Sequence, residues 1–336
     1  MVDAEKMAKS KGNFLTLLQC VQDYGADATR FACADGGDSM EDANFDRKTA
    51  NAAILNLFTE HEWLSASLAD AAGGKLRTGE MHFNDRALIN DVFFLVRATA
   101  VEFDSMRYRD GLQKCWYAMC ISRDSYRDWA YRSGSAMHAE CVATFARALV
   151  VMICPICPHW SESLWPLVRG LDVLGGPSTA VSAVDAPWPQ APECDTLLRK
   201  KSSFFRDLLR NLRQTLTKTK AKLKGDQFTV NIVVTAKFEA DQVSVLEFLA
   251  LELGADGFPD DVLKRLQAFT GQRPDWSKKA KLLMQFGAFM IKEATERGAD
   301  ALVTEAPFDQ SEILRDNENY LLRSLQELHP AVSTVA

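Results

Sequence analysis

Apolar residues recur at three- and four-residue steps through the middle of the chain, and this spacing restricts the fold more than any other feature. An α-helix turns every 3.6 residues, so residues at these steps share one face. The pattern predicts helices over about Tyr108–Arg132, Ala136–Ile153 and Ser161–Val168, and Asn84 is placed to cap another. We therefore predict a helical bundle over residues 46–190. Its first helical face contains Ala50, Ala53, Ile54, Leu57, Phe58 and Leu64.

Residues 191–336 have a different pattern, which predicts a small mixed domain. The β-branched run Phe228–Thr235 is typical of a strand, and residues 301–306 form a second candidate strand. Helices that connect strands favour an α/β domain. The whole chain is thus predicted to be mainly α, with a loop and short helices over 1–45 before the bundle. The helices predicted in the last part are Val243–Leu253, Asp260–Thr270, Ser277–Arg297 and Glu312–Leu328.

Composition indicates a cytoplasmic globular protein. The chain has 336 residues and a net charge of −6, which leaves room for two or three domains. Its longest apolar runs are too short to span a bilayer, so no membrane partner is expected. The eight cysteines are scattered and suggest a reducing compartment.

A cysteine cluster at Cys154–His159 allows two interpretations. Cys154, Cys157 and His159 could supply three zinc ligands, but structural zinc takes four and no second pair follows. The two prolines of the cluster equally fit a kinked junction between helices, with the cysteines as small apolar residues. We favour the junction and predict no metal in this chain.

A lysine-rich loop lies near the start of the chain. The segment Lys6–Phe14 reads KMAKSKGNF, with three lysines within six residues. Lysine is a compact charge on a flexible stem, suited to phosphate oxygens that gain charge in a transition state. Gly12 and Asn13 tolerate the backbone angles of a tight turn, and a helix is predicted from about Leu15. The alternative is a solvated surface run of lysines.

This loop and the segments that follow it resemble a known family. Residues 6–10 are similar to the KMSKS signature of class I aminoacyl-tRNA synthetases, with Ala8 where the pattern usually has serine. Trp188-Pro189 is similar to the exit from the family's anticodon-binding bundle. The segments Asp23–Phe31, Ala34–Asp38, Glu41–Phe45 and Cys157–Trp165 extend the resemblance, which points to leucyl-tRNA synthetases of the archaeal and eukaryotic cytosolic type.

The resemblance implies a leucine-tRNA ligase, which uses ATP, with Mg²⁺ in the full-length enzyme, to join leucine to tRNA-Leu. Lys6 and Lys9 fall on the lysines of the motif and are expected to be catalytic and ATP-binding. Lys9 is expected to be closer to the phosphates, with Lys6 as its support. Ser10 is also expected to be ATP-binding and to help fix the loop. Ala8 removes a hydroxyl that the family pattern would place there.

Other parts of such an enzyme are missing from the sequence. There is no His-x-Gly-His tetrad, no Rossmann-type strand–helix series and no editing domain. We therefore expect a C-terminal portion that is inactive alone, with Met1 as an internal or artificial start. Leucine and ATP are expected to bind through the missing catalytic domain. The alternative is a non-enzymatic tRNA-binding or scaffolding module derived from a synthetase; a helical scaffold that binds no RNA is a third hypothesis.

A basic helix predicted over Asp195–Lys224 is the candidate tRNA contact. After its first residue, Asp195, the helix contains one acid, Asp207, and phosphates would relieve the repulsion among its cations. The alternative is a solvated helix that is partly neutralised by acidic neighbours in the missing domains. The resemblance also implies that the C-terminal domain contacts tRNA-Leu, and it leaves membership of a multi-synthetase complex open. The tRNA-binding candidates are Lys200, Lys201, Arg206, Arg210 and Arg213; the predicted buried stripe is Leu197, Leu198, Phe204, Phe205, Leu208, Leu209, Leu212 and Leu216.

Overall fold

A computed structural model describes residues 1–37, 43–219, 228–234, 237–255, 257–305 and 307–335. Most of these residues are helical, which confirms the mainly α prediction. The chain forms two compact units. The first contains Met1–Phe228 and Asp316–Thr334, and the second contains Thr229–Arg315 and Val335–Ala336. The three-part division predicted from the sequence stays a prediction.

The first unit contains ten α-helices among its described residues. Between α5 and α6 the chain makes a π-helical turn, Gln113–Ala118, so the helix predicted over 108–132 is present in three pieces. The helices are α1 (Leu17–Tyr24), α2 (Ala26–Asp35), α3 (Arg47–Ala72), α4 (Phe83–Asp104), α5 (Tyr108–Leu112), α6 (Met119–Ser133), α7 (Ala139–Ile153), α8 (Pro158–Val168), α9 (Thr196–Thr219) and α14 (Glu318–Leu328).

Helix α7 is the centre of this unit, because nearly every residue from Cys141 to Ile153 is buried. Such a helix is apolar on all faces and must be surrounded by others. It packs against α3, α4, α6 and α8. Its one arginine, Arg147, donates to the Val168 carbonyl at 3.0 Å and lies over the Trp165 ring, which satisfies a charge in the core.

The second unit packs three helices around Trp276: α10 (Ala240–Glu252), α11 (Val262–Gly271) and α12 (Ala280–Arg297). The Trp276 indole is 1% exposed and donates to Asp241 at 2.9 Å. Apolar residues of all three helices complete this core: Val245, Leu246, Leu249, Leu266, Leu283 and Met290.

Four local predictions need correction. The cap of α4 is His82 rather than Asn84. Residues 301–305 are not a strand; Gly298–Leu302 is a 3₁₀ helix, and residue 306 lies outside the described residues. The last predicted helix breaks at Asn317 into α13 (Gln310–Asp316) and α14. Strand β1 covers only Phe228–Val230, with Thr235 outside the described residues, and strand β2 (Val332–Val335) was not expected.

Candidate functional site

The base of the lysine loop is bonded to the segment just before α3. The Asp3 amide donates to the Phe45 carbonyl, and the Phe45 amide donates to the Met1 carbonyl, each at 3.0 Å. The Ala4 amide donates to the Asn44 side chain at 2.8 Å. Residues 1–4, which lead into the lysine loop, are therefore held against residues 44–45.

The loop itself contains a 3₁₀ turn at Lys9–Lys11. Gly12 follows with a φ of 65°, a left-handed conformation that glycine adopts without strain. Lys6 and Ser10 are exposed. The structure describes the backbone of Lys9, but the side chain lies outside the described residues.

The other end of the loop is joined to the bundle through α1 and α2. Thr16 caps α1, and the Thr29 hydroxyl of α2 lies 3.1 Å from the Cys20 carbonyl of α1. Asp27 and Arg30 of α2 form hydrogen bonds with the connection between α7 and α8 and with the start of α8. The Asp27 carboxylate accepts the Trp160 amide at 2.6 Å, where a negative charge also suits the α8 N-terminus.

Arg30, one turn further along α2, forms hydrogen bonds with the same connection. Its Nε donates to the Ile156 carbonyl at 2.8 Å, and its Nη2 donates to the Pro155 carbonyl at 2.7 Å. These carbonyls follow the end of α7 and lack helical partners, so the guanidinium satisfies them. The Asp27-x-x-Arg30 pair therefore fixes the loop segment to the bundle.

The cysteine cluster lies in this same connection and behaves as a helix junction. Cys157 is buried and its thiol contacts the Asp27 carbonyl at 3.7 Å, while His159 is exposed. Burial raises the pKa of the Cys154 and Cys157 thiols, which disfavours the thiolate that zinc requires. Among the described residues, no group of three His, Cys, Asp or Glu side chains could hold a metal ion.

Helix α9 packs on the bundle, and its buried face is narrower than predicted. Phe205, Leu209 and Leu216 are buried, together with Ser202, whereas Leu197 is 41% exposed. Leu198, Phe204, Leu208 and Leu212 are half-buried. Lys220, Lys222 and Lys224 of the predicted basic helix lie outside the described residues.

Two arginines of α9 have acidic partners on other helices that the sequence pattern missed. Arg206 donates to Asp91 of α4 at 2.7 Å, and Arg213 donates to Asp128 of α6 at 3.3 Å. Arg210 donates to Asp207 within α9 at 2.7 Å. Nothing within α9 could identify the two other acids, because they are 115 and 85 residues away in sequence.

Asp128 is the centre of a larger network. It also accepts from Arg132 and from the Tyr320 hydroxyl of α14 at 2.8 Å. Burial alone would raise the pKa of Asp128, but the hydrogen bonds from Arg132 and Tyr320 and the charge of Arg213 lower it below its usual value. The same carboxylate therefore links α6, α9 and α14.

A cleft of about 520 Å³ lies along this face of α9. Arg206, Arg210 and Arg213 line one side, and Asp91 and Asp128 line the other. Lys200 is exposed and Lys201 is half-buried nearer the start of the helix. The predicted tRNA-binding residues are thus on one helix, but the described arginine pairs already satisfy part of its charge.

The comparisons with known proteins identify the class of this bundle. Residues 85–228 match the family model of the anticodon-binding domain of tRNA ligase. The matched segment contains most of α4, all of α5 to α9 and most of the residues that line the cleft.

Similarity to leucine–tRNA ligases extends along nearly the whole chain. The chain is 32% identical to a cytoplasmic leucine–tRNA ligase of Pongo abelii over 98% of its length, and 31% identical to one of Dictyostelium discoideum over 97%. A leucine–tRNA ligase of Aeropyrum pernix is 26% identical over 94%. The resemblance to this family is confirmed. The chain spans 28–30% of the length of these relatives.

None of the described helices is both long and apolar enough to cross a membrane.

Proposed function

We propose that this chain serves in a cytoplasmic leucine–tRNA ligase, which activates leucine with ATP and transfers it to tRNA-Leu. The observation that carries the proposal is the similarity to such enzymes over 98% of the chain, lysine loop included. The contact between the lysine loop segment and the bundle also supports the proposal. The loop is fixed to the anticodon-binding bundle by Asp27 and Arg30, so tRNA held by the bundle and ATP held at the loop share one framework.

Lys6 and Lys9 are the proposed catalytic residues of the loop. Leucine attacks the α-phosphorus of ATP and pyrophosphate leaves, so negative charge grows on the phosphate oxygens. Lysine side chains from a loop with a fixed base would stabilise that charge, with Lys9 closer and Lys6 in support. Ser10 would help fix the loop. Mg²⁺ would arrive with ATP; the described residues contain no cluster to hold it, so we assign it no ligand here.

The test is leucine-dependent ATP–pyrophosphate exchange by the full-length protein that contains this chain. Lys9→Ala should lower kcat by about 10²–10³, the usual cost of one lost oxyanion donor, with little change in leucine binding. Lys11→Ala, a lysine of the same loop outside the two motif positions, is the matched control. A rate within a few-fold of the parent for Lys9→Ala would remove it from the catalytic residues.

The alternative is a non-enzymatic tRNA-binding or scaffolding module. The observation that favours it is that the described residues contain the loop and the bundle without an ATP-binding fold. Both hypotheses predict that the 336-residue chain binds tRNA and forms no leucyl-adenylate. Exchange activity of the full-length protein separates them, and adenylate formation by this chain alone would contradict both.

The proposed tRNA surface is the α9 face with Lys200, Lys201, Arg206, Arg210 and Arg213. Phosphate contacts release counterions, so binding should fall steeply with salt. Charge reversal at the three arginines should weaken binding across different tRNAs, because phosphate contacts carry no sequence information.

A further inference from the structure

The amide side chain of Asn13 closes the lysine loop from within. Its Oδ1 accepts the Ala8 amide at 2.9 Å, and its Nδ2 donates to the Lys6 carbonyl at 3.1 Å. The same Nδ2 lies 3.3 Å from a Glu5 carboxylate oxygen. One side chain thus bonds the backbone on both sides of Met7.

This contact changes the role expected of Asn13. The sequence suggested that Asn13 supplies special backbone angles, but among the described residues its φ is not positive, whereas that of Gly12 is. Gly12 therefore makes the turn. Asn13 contributes a side chain with both a donor and an acceptor, which is what the two facing backbone groups require.

The bonds act on the residues that carry the lysines. Lys6 and Ala8 flank Met7, and Lys9 follows at once in the 3₁₀ turn. The Lys11 amide adds a 3.1 Å bond to the Ala8 carbonyl. A loop fixed in this way spends less time in conformations in which its cations point elsewhere, and preorganised charge is what stabilises a transition state.

We propose that Asn13 is a positioning residue that holds the backbone of Lys6 and Lys9 for phosphate contact. This inference rests on the proposed function. Asn13 needs no contact with ATP. It increases the fraction of time that the backbone of residues 6–9 spends in this conformation.

The first test is leucine-dependent ATP–pyrophosphate exchange by the full-length protein. Asn13→Ala removes both backbone bonds and should lower kcat about tenfold, with KM for leucine within about twofold of the parent. Asn13→Asp keeps an acceptor for the Ala8 amide but directs a carboxylate oxygen at the Lys6 carbonyl and the Glu5 carboxylate. Because both contacts are repulsive, kcat should fall at least as much as in Asn13→Ala. Adding Glu5→Gln to Asn13→Asp removes one of these repulsive contacts and should recover about threefold.

The matched control is Ser133→Ala, which removes a 3.2 Å side chain–backbone bond in α6 of the bundle. Its kcat should stay within about twofold of the parent. An equal loss in both variants, or an unchanged kcat in Asn13→Ala, would overturn the proposal.

The second test needs no catalysis. Hydrogen exchange at the Ala8 amide in the 336-residue chain should be about tenfold faster in Asn13→Ala, while α7 amides stay unchanged. Unchanged exchange at Ala8 would overturn the contact itself. If the unsubstituted full-length protein shows no leucine-dependent exchange, the proposed function fails, and the Ala8 measurement still decides whether Asn13 holds the loop.

Discussion

Neutralising Asp91 should strengthen RNA binding by the α9 face, because this carboxylate competes with phosphate for Arg206. Arg206 Nη1 lies 2.7 Å from Asp91 Oδ2, and the side chains of Arg206 and Asp91 are 40% and 10% exposed. An asparagine at this position would carry no charge but could still accept hydrogen bonds, so Asp91→Asn is the mildest way to release the guanidinium.

The size of the effect follows from the exposure of the pair. Partly exposed ion pairs contribute about 0.5–1 kcal/mol, which corresponds to about two- to fivefold in affinity once RNA no longer has to displace the acid. One additional phosphate contact should also steepen the slope of log affinity against log salt by about 0.7–0.9.

The assay is fluorescence anisotropy of labelled tRNA with the 336-residue chain at several salt concentrations. Asp124→Asn is the matched control, because it changes net charge equally in the same cleft, while Asp124 pairs with Arg123 and Arg127 rather than with α9. An equal gain in both variants would reduce the effect to net charge. No gain in Asp91→Asn would remove Arg206 from the RNA surface.

Two further predictions concern stability. Asp128→Asn should destabilise the first unit at pH 7. Because the pKa of Asp128 is lowered in the folded state, its contribution to stability is present above about pH 3.9 and is lost as the pH falls through the folded-state pKa. The free energies of urea unfolding of parent and variant should therefore converge in acid. Gly111→Ala should cost about 1–3 kcal/mol, since its Cβ would overlap the Phe103 ring, whereas Gly170→Ala, with nothing within 4 Å, should change Tm little.

The periodic helices could be predicted from the sequence because each depends on its own residues. The bundle helices were all expected, and only their ends and the π-helical turn differ. Residues 301–305 were mistaken for a strand because a short apolar run has no period to separate strand from helix. Strand β2 was missed at the chain end, where four residues give no alternation to read.

In the candidate site, too, contiguous features could be predicted from the sequence and long-range contacts could not. The lysine loop was found because its motif is contiguous, whereas the partners of α9 were not, because Asp91 and Asp128 come from other helices. Counting the acids within α9 alone therefore left out two carboxylates that pair with its arginines. The role of Asn13 was missed for a related reason: a turn residue can act through its backbone or its side chain, and composition alone does not distinguish them.

The Asp27 carboxylate offers a final test of how the loop segment is held. It receives the Trp160 amide at 2.6 Å and lies 3.4 Å from the His159 amide, both in the first turn of α8. Asp27→Asn keeps an acceptor but removes the charge that the helix N-terminus favours, so the free energy of unfolding should fall by about 1 kcal/mol. For a unit of this size that loss lowers Tm by about 2–4 °C.

The sign of a second substitution separates this cause from a general loss of charge. Asp23 is exposed in the last turn of α1, where a carboxylate opposes the helix dipole. Asp23→Asn makes the same chemical change on the neighbouring helix and should leave Tm unchanged or raise it slightly. If both substitutions lower Tm equally, the contact between Asp27 and α8 does not fix the loop segment, and the physical link between the lysine loop and the bundle must come from Arg30 and the apolar face of α2 instead.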